Sequence, residues 1–287
     1  MGEFADIKAK MVEKSGRQSP DTHSWGDHSL DLWDPFVVPK EEIDAEIERL
    51  SGIAAPNNGI RRTYFVHPKA EEGLLSFTPG MSCSLDVLLP GEETAYVREN
   101  ASLVNFPILG GGQMAMGEAI FDVKQYDVLT TPAMTVHKYI NNTDSVQARF
   151  RYSNQPMLDR LKIHWLDEDP PVPGAENNDV TDTAEEAGDS PKSPFGTFQL
   201  TDDGAFLKPY EELINPEPIE INPHSWPWGN VKEELDKLAA LGSKYKGRRL
   251  YLLYDPSTGR TNGTNANFFS CITIRPEGIV DRPHRHA

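Results

Sequence analysis

The chain has 287 residues and a formal net charge of −16, with 44 Asp and Glu against 28 Lys and Arg. That length accommodates two domains of ordinary size, and the apolar content is that of a soluble globular chain. An acidic chain with no clustered basic face is a poor partner for nucleic acid or an anionic membrane, and no apolar run is long enough to span a bilayer.

Much of the acidity is local. Residues 166–189 carry nine carboxylates and no Lys or Arg, so the rest of the chain is left at −7. The N-terminus lacks the basic-then-apolar layout of a secretory signal. The only cysteines, Cys83 and Cys271, both lie in apolar, strand-like runs. They read as reduced core residues of a cytoplasmic protein, not as a disulfide.

In chain order, residues 1–60 read as an N-terminal arm and helix. Trp25 and Trp33 are expected to anchor the arm, and His23 and His28 to be solvated. The spacing of Ile43, Ile47 and Leu50 predicts a helix over 39–50, with Gly52 as a left-handed cap. From Arg61 the period changes to that of strands. Runs at 62–67, 82–89, 102–109, 119–123, 126–132, 135–142 and 146–152 are separated by turn signals, which is the pattern of a β-barrel over 61–165. The runs at 119–123 and 126–132 are expected to form its middle hairpin.

The acidic stretch 166–194, rich in Pro, Gly and Asn, is expected to be disordered or extended. Residues 195–245 read as a strap followed by a helix over 231–241. Residues 246–287 read as the start of a second barrel, incomplete where the sequence stops.

The terminal stretch carries the most chemistry. An apolar run, Phe268 to Ile274, leads through Pro276-Glu277-Gly278 to His284-Arg285-His286. In a strand His284 and His286 share a face, so their two imidazoles could converge on a metal. Displaced by 186 positions, Pro276 falls on Pro90, His284 on Arg98 and His286 on Asn100, with the same strand, Pro/Gly turn and strand. The two copies therefore read as one domain repeated.

Several segments carry a family resemblance. They are Asn222-Pro223-His224-Ser225-Trp226-Pro227-Trp228, Val231 to Leu238, Leu250 to Gly259, and Arg282-Pro283-His284-Arg285-His286. Together they resemble the inter-barrel region and second barrel of gentisate 1,2-dioxygenase-like bicupins. The resemblance implies an all-β dominated fold: a cupin jelly-roll barrel with a few flanking helices, followed by the start of a second barrel. It also implies a ring-cleaving dioxygenase using Fe(II), a small aromatic substrate and O2, assembled as a homo-oligomer or a two-component complex. In gentisate dioxygenases the first barrel carries the iron. Here Arg98, which has no lone pair to give, and Asn100 stand at the ligand positions of the first barrel, while His284 and His286 keep the pair in the second. That arrangement is similar to the large subunits of hydroquinone dioxygenases.

His137 matches the position of the last cupin ligand. With Arg98 and Asn100 it is read either as a relict core histidine or as part of a pocket for a small organic acid. The rival to the dioxygenase is thus a non-catalytic acid-binding or partner bicupin. A chain ending within its second barrel is expected to be inactive alone.

Overall fold

The computed structural model describes residues 33–174, 196–202, 205–210, 221–242, 245, 248–258, 263–278 and 280. The chain divides into Met1–Val37 and Val38–Ala287. Of the first unit only 33–37 are described, and they form neither helix nor strand. The expectations for His23, His28 and Trp25 lie outside the described residues.

The second unit opens with helix α1 (Lys40–Ser51). Its acidic first turn, Glu41 and Glu42, complements the positive end of the helix dipole. Ile43, Ile47 and Leu50 form its apolar stripe and pack on Leu85, Val87 and Ala148 of the sheet below. Gly52 was expected in the left-handed region; it stands instead at φ −85°, continuing the right-handed turn, and its N–H meets the carbonyls of Glu48 and Arg49.

Nine strands follow: β1 (Arg61–Phe65), β2 (Ser82–Leu88), β3 (Arg98–Glu99), β4 (Leu103–Leu109), β5 (Gly112–Met116), β6 (Ala119–Val123), β7 (Val128–Thr131), β8 (His137–Ile140) and β9 (Gln147–Ser153). Then come the short helix α2 (Gln155–Arg160) and β10 (Leu166–Asp167), β11 (Phe198–Gln199), β12 (Phe206–Leu207) and β13 (His224–Trp226). Helix α3 (Trp228–Ala239), strand β14 (Leu250–Leu253), a 3-10 turn (Pro256–Thr258) and strand β15 (Ser270–Thr273) complete the described elements.

The strands build an antiparallel six-stranded sheet in the order β1-β2-β9-β4-β7-β13, and a three-stranded sheet in the order β6-β5-β8. Between them lies an apolar cluster of Leu88, Met114, Met116, Val123, Leu129 and Tyr139, drawn from both sheets. Every residue of β2 is buried, because one of its faces meets this interior and the other meets α1. The strand-dominated, jelly-roll-like cupin architecture read from the sequence is the one observed.

Three local expectations change. The hairpin partner of β6 is β5, through Gly117 at φ +58°, and not the 126–132 run, whose strand β7 joins the larger sheet. The acidic stretch does not begin as free chain: Leu166 and Asp167 pair with Glu99 and Arg98. Cys83 is buried, but Cys271 is exposed on β15; both are free thiols.

The C-terminal elements dock on this framework. β13 extends the large sheet along β7, and Asp127 accepts a 2.7 Å hydrogen bond from the Trp228 amide at the first turn of α3. β14 and β15 form an antiparallel ribbon. Its Leu253, Phe268 and Ile272 pack with Trp226 against Val104 and Val128. Among the described residues no helix is long and apolar enough to cross a membrane.

Candidate functional site

Strand alternation decides what faces the inside of the barrel. On β9, Gln147, Arg149, Arg151 and Ser153 point inward and alternate with Ala148, Phe150 and Tyr152. The register sets Arg149 opposite Asp86, and Arg151 opposite Ser84 on β2 and Asn105 on β4. Arg62 stands across from Asp86 on the other side. The polar inner positions of four adjacent strands therefore meet in one buried layer.

These groups form an interlocked set of charges. Arg62 grips Asp86 in two parallel bonds, Nε to Oδ1 and Nη2 to Oδ2, both 2.7 Å. Arg149 reaches Asp86 Oδ2 at 3.4 Å and gives its Nη1 to Gln147 at 2.7 Å. Its guanidinium carbon lies 3.3 Å from the ring centroid of Tyr139, whose hydroxyl donates to Asn105 at 2.7 Å. Arg151 is paired with Glu99. Burial opposes the charge on Asp86, yet Arg62 and then Arg149 outweigh it and hold the carboxyl well below its usual range. Burial likewise opposes ionisation of Glu99. Arg151 first and then the nearby His164 overcome it, and the carboxyl sits at about 2.

His137 lies on β8, 2% exposed, beside the backbone of Val97. Its Nδ1–H donates to the Thr135 carbonyl at 3.0 Å. Burial pushes its pKa down to about 4, so the imidazole is neutral at pH 7. His164 spans two carboxylates, with Nε2 3.6 Å from Glu99 and Nδ1 3.3 Å from Asp159. Its pKa is raised, first by Glu99.

The expectation that Arg98, Asn100 and His137 share an interior pocket does not hold. Arg98 turns outward, ion-paired with Asp167 at 2.8 Å and lying 5.4 Å from the centroid of the Trp165 ring. Asn100 donates to the Ile163 carbonyl at 2.7 Å and accepts from the Trp165 amide at 2.9 Å. Both residues fasten segment 163–167 to the barrel. The residue facing inward beside His137 is Glu99, 4% exposed.

The reason is a register one residue away from the one assumed. Gly91 and Gly278 both occupy left-handed turn positions, with φ +78° and +76°. Matching these glycines gives an offset of 187, which sets His284 on Val97 and His286 on Glu99. Matching the prolines instead had exchanged the inner and outer faces, since successive strand residues point oppositely. His284 and His286 themselves lie outside the described residues.

Glu99, Arg149, Arg151, Asp86, Arg62 and His164 were not singled out from sequence. The signal was present in Gln147-x-Arg149-x-Arg151-x-Ser153, where polar residues hold one face while apolar residues hold the other.

As a metal site this interior does not fit. Val97 offers no lone pair, Glu99 is held by Arg151, and no group of three His, Cys, Asp or Glu side chains is gathered for a metal among the described residues. Nor is there room for an aromatic ring. The cavity beside Arg149, lined by Asn105, Tyr139 and Gln147, measures about 10 Å³, against several hundred for a typical ligand pocket.

No family model matches the chain. It is similar to 5-nitrosalicylic acid 1,2-dioxygenase from Bradyrhizobium sp., 25% identical over 118 residues. The match covers 39% of this chain and 57% of that relative. In fold it is similar to salicylate 1,2-dioxygenase from Pseudaminobacter salicylatoxidans, with a TM-score of 0.57 and 16% identity over 90% of this chain and 71% of that one. The adduct of salicylate 1,2-dioxygenase with gentisate gives a TM-score of 0.57 and 17% identity, covering 90% of this chain and 69% of the other. At these identities the structural likeness establishes the fold. It is consistent with the gentisate dioxygenase-like bicupins that the sequence resembles.

Proposed function

We propose that this chain is part of a ring-cleaving, non-haem Fe(II) dioxygenase of hydroxylated aromatics, of the gentisate or hydroquinone type, with its metal in the second barrel. The observation that carries this reading is the local identity to 5-nitrosalicylic acid 1,2-dioxygenase. The filled interior of the first barrel supports a site elsewhere. The proposed organisation is an arm and helix over 1–60, a first barrel over 61–165, a linker over 166–194, a strap and helix over 195–245 and a second barrel from 246.

His284 and His286 would hold the metal; imidazole donors suit Fe(II). Iron supplies the redox chemistry that couples O2 to an aromatic ring. The task of this chain's own residues is to present the two imidazoles in register. The ribbon of β14 and β15 is anchored on the first barrel by Leu253, Ile272 and Phe268, and Gly278 turns the chain that leads on to His284. The expected partners are a small aromatic substrate and O2, within a homo-oligomer or a two-component complex, and the expected compartment is the cytoplasm. The rival acid-binding reading relied on Arg98, whose engagement by Asp167 and Trp165 removes the cation it needed.

The test is metal content of the full-length protein, purified without air, beside a His284→Ala/His286→Ala double variant. The expected result is near-stoichiometric iron that the variant lacks. Iron retained in the variant, or no iron in either, refutes the assignment.

A further inference from the structure

The buried layer of the first barrel does not balance its charge. Three guanidiniums, Arg62, Arg149 and Arg151, face two carboxylates, Asp86 and Glu99. All but Arg62 are under 5% exposed; the Arg62 side chain is 21% exposed and bonds Asp86. A guanidinium cannot give up its proton, so one positive charge is left over. His137 is neutral and adds nothing; Tyr139 has its pKa raised by burial and remains a neutral phenol.

The surplus has a location. Asp86 accepts two bonds from Arg62 and one from the Ser84 hydroxyl, and Arg149 holds the longest contact to it, at 3.4 Å. Arg149 Nε has no hydrogen-bond partner at all, and neither does Arg151 Nη1. The pairing of Arg149 with the Tyr139 face lowers the cost of its burial but does not neutralise it. An isolated charge in a dry interior is heavily disfavoured unless it is matched. Arg149 also lines the small cavity described above, next to Asn105 and Tyr139. That room suits one guest little larger than a water molecule and excludes an organic acid.

We propose that the first barrel is a binding site for a single small inorganic anion of chloride size, seated in the cavity against Arg149. The anion brings the layer from three positive and two negative charges to three and three. It serves the stability of the barrel and takes no part in ring cleavage. The site differs from the acid pocket expected around Arg98 in position, in size and in the class of guest.

The experiment is thermal unfolding of the full chain in sodium chloride, titrated against sodium glutamate at constant ionic strength and pH. Glutamate is too large for the cavity. The expected result is a saturable rise in Tm with chloride of at least roughly 2 °C. Arg149→Met should abolish that rise, because it leaves two positive charges facing two negative ones. As a readout independent of the variant's folding, crystals of the unaltered protein grown in bromide should show one anomalous peak within hydrogen-bonding distance of Arg149 Nε. Absence of that peak overturns the proposal. So does a Tm that rises without saturation, or a saturable rise that persists in Arg149→Met.

Discussion

At the scale of single residues, Glu99 and Arg151 are paired in the buried interior, both under 5% exposed. Glu99→Gln leaves a buried guanidinium without its partner and should cost about 3–5 kcal/mol of stability by urea unfolding. Arg151→Met combined with Glu99→Gln should cost clearly less than the two single changes added together, because the double variant creates no new unpaired charge. Additive losses would mean that the pair is not coupled. The two histidines act in opposite directions with pH. His137 has a folded pKa depressed to about 4 from 6.5. The unfolded chain therefore takes up its proton first, and stability is lost as pH falls from about 6.5 through 4, by about 3 kcal/mol in all. His137→Gln should remove that acid limb. His164 has a raised folded pKa, so its contribution is complete below about 6.5 and is lost as pH rises through the folded value. His164→Gln should flatten this alkaline-side loss and leave the acid limb intact.

At the scale of elements, the strands were legible because their alternation is strong. Helix α1 was legible because Ile43, Ile47 and Leu50 recur at helical spacing. What the sequence concealed was register. Pro90-Gly91 and Pro276-Glu277-Gly278 differ by one inserted residue, and in a structure of period two that single residue inverts the meaning of every side chain after the turn. The outward-facing Arg98 was read as inward for this reason alone. Likewise Asp167 appears in sequence as one of nine linker acids. Only the pairing of β10 with β3 shows that it is the partner of Arg98. The turns themselves can be ranked. A Cβ at Gly91 meets nothing within 4 Å, whereas at Gly110 it lies 2.3 Å from the Val146 carbonyl oxygen. Both sit at positive φ, so Gly91→Ala should cost about 1–2 kcal/mol from backbone strain. Gly110→Ala should cost at least about twice as much, since β9 must move as well. Equal shifts in the urea midpoint would contradict this ranking.

At the scale of the whole molecule, β13, α3 and the ribbon of β14 and β15 are bound into the first barrel. Trp226, Leu253, Phe268 and Ile272 share one apolar cluster with Val104 and Val128, and Asn267 donates to Ser102 at 2.7 Å. Residues 38–280 should therefore melt as one cooperative unit. Calorimetry and tryptophan fluorescence of a Trp25→Phe/Trp33→Phe variant, which reports Trp165, Trp226 and Trp228, should give coincident transitions. A separate early fluorescence transition would mean that the unit comes apart in stages.

The pairing of Glu99 with Arg151, and of Asp86 with two arginines, also bears on descent. The layer is spread over β1, β2, β3 and β9, so no single substitution empties it. Clearing space for a metal by removing Asp86, Glu99 or Arg151 first passes through a variant with an orphan charge, at about 3–5 kcal/mol from a reserve of about 5–15. A barrel centre filled in this way resists being emptied one residue at a time.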